Sequence, residues 1–95
     1  MVTKVIFGIR PDTGHDTEEK RLKFFEETIK PRFLELLEVF HKREFSVERV
    51  ETKTWGLYDP TPQIICYING EIDNNILRFV EQWLRVELSP QLKEM

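Results

Sequence analysis

Residues 22–40 read LKFFEETIKPRFLELLEVF, and the apolar positions Leu22, Phe25, Ile29, Phe33, Leu36 and Phe40 recur at steps of 3, 4, 4, 3 and 4. That spacing keeps one face of a helix apolar. Pro31 lacks a backbone N–H, and its ring crowds the carbonyl four residues earlier, so it bends a helix. The stripe resumes in phase beyond it, which predicts one long helix with a kink rather than two helices.

Working outward, Val2 to Ile9 predicts a strand with Val5, Phe7 and Ile9 on one face and Ile6 and Gly8 on the other. Arg10 to His15 reads as a loop by its Pro, Asp and Gly content. The long helix is expected to start near Asp16, with Glu19 at capping-box spacing, and to close with His41, Lys42 and Arg43 at the end where its dipole favours cations. Phe45 to Trp55 predicts a second strand whose alternation changes phase between Val47 and Val50, the mark of a bulge. Gly56 to Pro62 is a turn. Gln63 to Asn69 predicts a strand apolar on both faces and therefore central. A second helix from about Asp73 to Leu88 takes Asp73 as N-cap and buries Ile76, Phe79, Val80, Trp83 and Leu84; Gln91 to Met95 is a polar tail. Trp83, Phe40, Leu36 and Ile64 are expected to meet in the core.

A right-handed crossover makes the first two strands parallel, and the turn makes the third antiparallel to both. The expected architecture is an α+β two-layer sandwich of order β-α-β-β-α. It is a split β-α-β, ferredoxin-like but lacking the last strand, with both helices on one face of a three-stranded sheet. Residues 1–95 fit a single domain.

Composition narrows the function classes. The net charge of −3 gives the whole molecule no attraction to nucleic acid or an anionic membrane, and no apolar run is long enough to span one. RNA-recognition motifs share the split arrangement, but the two strands here that would carry their RNA-binding motifs hold no version of them. Cys66 is the chain's one cysteine, and Met1-Val2-Thr3-Lys4 does not read as a signal peptide, so the expected location is the cytoplasm. No phosphate-binding glycine motif occurs, and His15 and His41 lie at opposite ends of the long helix without ligand-type neighbours. No metal or cofactor is therefore expected.

Two surfaces remain as candidates. The uncovered sheet face should present Ile6, Gly8, Ile65 and Tyr67, flanked by Val50, Thr52 and Thr54, and the first strand should be an edge open to pairing. Ile6, Ile65 and Tyr67 on that face predict a protein-association module, homodimeric through the open face or the edge strand. The alternative is a small-molecule binder or small enzyme at the loop cluster Arg10–Asp16 with Trp55–Thr61. There Arg10, Asp12, His15, Tyr58 and Asp59 would bind a ligand, and His15 with Asp12 would do acid–base work. Polar residues with Pro and Gly are what any turn contains, so the balance lies against an enzyme.

Overall fold

The computed structural model describes residues 1–10, 14–15, 17–55 and 61–93. Strand β1 (Val2–Ile9) leads to a long helix in three continuous segments: α1 (Glu18–Phe24), a π-helical stretch (Phe25–Ile29) and α2 (Lys30–His41). Strands β2 (Ser46–Trp55) and β3 (Thr61–Asn69) follow, then α3 (Asn74–Glu87) and a two-residue strand, β4 (Leu92–Lys93). The sheet order is β2-β3-β1-β4, and every neighbouring pair is antiparallel, so β1 and β2 run parallel on either side of the central β3. The fold is the expected α+β two-layer sandwich.

The chain end adds to that layout. Leu92 is buried in the core, and Leu92 and Lys93 pair with Ile9 and Gly8 at the end of β1. A hydrogen bond from Arg10 N–H to the Gln91 carbonyl (2.9 Å) extends the contact. The segment expected as a polar tail thus holds one apolar anchor, which caps the last residues of β1. From Val2 to Phe7, no strand pairs with that edge among the described residues.

The long helix passes through Pro31 without a break. Lys30 N–H bonds to the Phe25 carbonyl five residues back, and Pro31 then falls in the first turn of α2, where a missing donor is tolerated. The wider π turn also shifts the helical phase, so Phe24 and Phe25 are both buried, followed by Ile29, Phe33, Leu36 and Leu37. Leu22 is only half-buried and Phe40 is exposed, so the two ends of the expected stripe lie outside the core. The N-cap is Thr17, whose hydroxyl accepts from Lys20 N–H (3.2 Å); Asp16, expected in that role, lies outside the described residues. At the far end, His41 Nδ1 meets the Leu37 carbonyl (3.1 Å), and Asp73 N–H donates to His41 Nε2 (3.3 Å), so one ring joins the end of α2 to the start of α3. Asp73 caps α3 by accepting from Asn75 and Ile76 N–H.

The core lies between the helices and one sheet face. Val5, Phe7 and Ile9 of β1 and Ile64, Cys66 and Ile68 of β3 meet Phe25, Ile29, Phe33, Leu37, Val80 and Leu84. Phe7 and Phe33 pack edge to face at 5.3 Å between ring centres. Trp83 and Phe40, expected there, are each nearly half exposed. Val80 and Leu84 already occupy the side of α3 that faces the sheet. Phe79, Trp83 and Val86 lie on average roughly 110° further round, at about 100° per residue.

Candidate functional site

Two members of the expected loop cluster, Arg10 and His15, line different grooves. Arg10 lines a groove of about 560 Å3 with Gln82, Arg85, Val86, Ser89 and Leu92. His15 lines a different one with Gly14, Lys20, Lys23, Phe24, Glu27, Thr28 and Gln91. Asp12, Tyr58 and Asp59 lie outside the described residues, as does the side chain of Trp55. His15 stacks on Phe24 at 4.2 Å, and its carbonyl accepts from Arg21 Nη1 (3.4 Å). The ring is thereby part of the packing at the helix start. Its Nε2 and Arg21 Nε are buried with no hydrogen-bond partner among the described residues.

On the open sheet face, the register sets Ile6 opposite Ile65, with Tyr67 between Lys4 and Arg49. The three expected interface residues do share one face. The flank differs from expectation. A bulge between Val47 and Arg49 returns Val50 to the same side as Val47, towards the helices, so Arg49, Glu51 and Lys53 border the open face in place of Val50, Thr52 and Thr54. These side chains cover its centre. The Arg49 guanidinium sits 4.2 Å over the Tyr67 ring, Tyr67 Oη donates to Glu51 Oε2 (3.2 Å), and Arg49 pairs with Glu51 at 3.4 Å. Ile65 is only 6% exposed within this single chain, and Ile6 and Tyr67 are half-buried.

The larger apolar surface lies on the outer side of the helical layer. Val39 is 64% exposed, Phe40 45%, Phe79 47%, Trp83 46% and Val86 79%. Phe40 meets Phe79 edge to face across the two helices (5.3 Å), and Phe79 meets Trp83 at 5.8 Å, which makes a continuous aromatic row. A shallow groove of about 340 Å3 runs along it, lined by Phe79, Gln82, Trp83, Val86 and Glu87.

Polar contacts fix Trp83 at the end of this row. Trp83 Nε1–H donates to Glu87 Oε1 (2.7 Å), and Arg32 grips both oxygens of the same carboxylate from α2, its shortest contact 2.8 Å. The Arg32 guanidinium, with help from the indole N–H, holds the Glu87 carboxyl below its ordinary range; Glu87 in turn raises Arg32. Glu81, on α3, goes the other way: partial burial pushes its carboxyl up, opposed by the nearby Arg85 and Arg78.

The sequence offered one sign of this surface. From Ile76 to Leu88, α3 carries apolar residues at Ile76, Leu77, Phe79, Val80, Trp83, Leu84, Val86 and Leu88. That arc is wider than one buried stripe on a helix over a sheet. Val86, absent from the expected core set, marks where the excess points.

The buried Cys66 thiol is pushed up to about 12, chiefly by its burial, and is held as an unreactive core group. Among the described residues, no three His, Cys, Asp or Glu side chains gather as a metal site would require, and no helix is long and apolar enough to cross a membrane. Comparison of this chain with protein-family models, curated proteins and solved structures gave no match.

Proposed function

We propose that this chain is a protein-association module that works through the outer face of its two helices. The observation that supports this is the aromatic row Phe40–Phe79–Trp83, extended by Val39 and Val86, with Trp83 held in place by the Arg32–Glu87–Trp83 contacts. Rigid aromatic side chains with both polar and apolar parts are the usual anchors of protein interfaces. Holding their rotamers before contact lowers the entropy lost on binding. The open sheet face remains a second contact surface of lesser apolar area, because its own charged border covers Ile65 and Tyr67. A cytoplasmic setting agrees with the lone buried thiol of Cys66.

The test is photo-crosslinking in the source cell, with a benzophenone side chain placed at Val86 and, as control, at the exposed Glu44. Covalent adducts of discrete size from position 86 but not from 44 are the expected result. Adducts from neither position, or equally from both, would remove the assignment.

A further inference from the structure

We infer that the occupant of the helical face is a second copy of this chain, seated about a two-fold axis that runs along α3 so that the two α3 helices lie parallel. This rests on the association role proposed above and names its partner. The amount of apolar surface is right for it. The exposed parts of the five side chains sum to roughly 500 Å2, taking ordinary areas for aromatic and branched residues. One side of a standard stable interface covers about 800 Å2, a little over half of it apolar.

The charges bordering the row decide both the partner and its orientation. On the α2 side, Glu87 and Glu35 both engage Arg32, which leaves that flank with one carboxylate in excess. On the other side stand Arg78 and Arg85, both near Glu81, with Arg85 lining a groove beside Val86. Among the described residues, these two guanidinium groups outnumber the one carboxylate between them. A partner of one sign, whether nucleic acid or an acidic peptide, meets like charge on one flank. A second copy does not, provided the axis is chosen correctly. A two-fold axis perpendicular to α3 runs the helices antiparallel and sets each basic flank against the other basic flank. An axis along α3 runs them parallel and sets each basic flank against the partner's acidic one. Arg85 of one copy then approaches Glu35 of the other, and the aromatic rows close on one another at the centre.

Two measurements test this on the full chain. In sedimentation at up to about 1 mM, the wild type should show a reversible dimer. Val86→Glu, a change at a position 79% exposed and so harmless to folding by circular dichroism, should raise the dissociation constant about tenfold or more. Orientation is read from Asn75→Cys and Val86→Cys, each oxidised alone and then mixed, with wild type as the control for buried Cys66. A parallel pair links each variant to itself. An antiparallel pair links 75 to 86 in the mixture and neither alone, which overturns the arrangement. A wild type that stays monomeric, or a dimer indifferent to Val86→Glu, overturns the second copy as occupant. If that monomer still gives adducts from position 86 in the cell, the association role survives with a different partner. If it gives none, both fall.

Discussion

Phe33 and Trp83 are both large aromatic residues on apolar helix stripes, yet one is sealed in the core against Phe7 and the other is nearly half in water. Phe33→Ala should therefore cost about 3–5 kcal/mol, the range for emptying a closed aromatic site. Trp83→Ala should cost clearly less, about 1–2 kcal/mol, because much of its surface is never removed from water. Urea denaturation of the two variants checks the order, and equal losses would put Trp83 back inside. Glu87 and Glu81 give a second contrast through pH. The Glu87 carboxyl is lowered in the folded chain, so its contribution is present above the ordinary carboxylate range and is lost as pH falls through the lower folded value. Glu81 is raised, so its contribution is present below that range and is lost as pH rises through the higher folded value. At neutral pH, Glu87→Gln should lower the melting temperature and Glu81→Gln should raise it. The Glu81 difference should vanish as pH falls below the ordinary carboxylate range, and the Glu87 difference only as pH falls further, through its lower folded value. Such opposition between two carboxylates on one helix was not legible in the sequence, since it depends on Arg32 arriving from 55 residues away.

At the level of elements, the long helix was legible because its stripe carried across Pro31. The means of passage was not. A strict repeat predicts Phe25 inward and Phe24 at the shoulder, whereas the π turn ahead of the proline adds a residue to the local repeat and buries both. Pro31→Ala should keep the fold and leave stability equal or higher, because Glu27 and its neighbours regain a possible donor. A large loss of stability in urea would mean that the proline itself shapes the turn that seats Phe24. Strand β2 teaches a similar lesson. Its phase change announced the bulge, but only the pairing with β3 shows that Val47 and Val50 fall on one side and that Arg49, Glu51 and Lys53 face out. One residue of register decides whether the open sheet face is apolar at its border or charged. The two-residue β4 left little trace beyond one leucine in a polar stretch.

The whole molecule has one interior and two outer faces, as any two-layer fold must. Its apolar residues exceed what that interior holds, and most of the exposed surplus collects on the helices, with Val2 the exception on the sheet. The sequence showed that there was a surplus, and the expected contact surface was the sheet because Ile6, Ile65 and Tyr67 were plain to see while their covering side chains were not. The interior was assigned Phe40, Phe79 and Trp83 because spacing alone does not reveal how many positions of a helix can touch one sheet. Charge then separates the two surfaces: the sheet face carries its own Arg49–Tyr67–Glu51 cover, whereas among the described residues the aromatic row has its ion pair at the border, Arg32 with Glu87. The most direct measurement is a dilution series followed by amide NMR, which reads contact residue by residue. Concentration-dependent shifts should be confined to Lys30–His41 and Asn74–Glu87, with Ile6, Ile65 and Tyr67 unmoved. Shifts centred on those three sheet residues, or none at any concentration, would contradict the account.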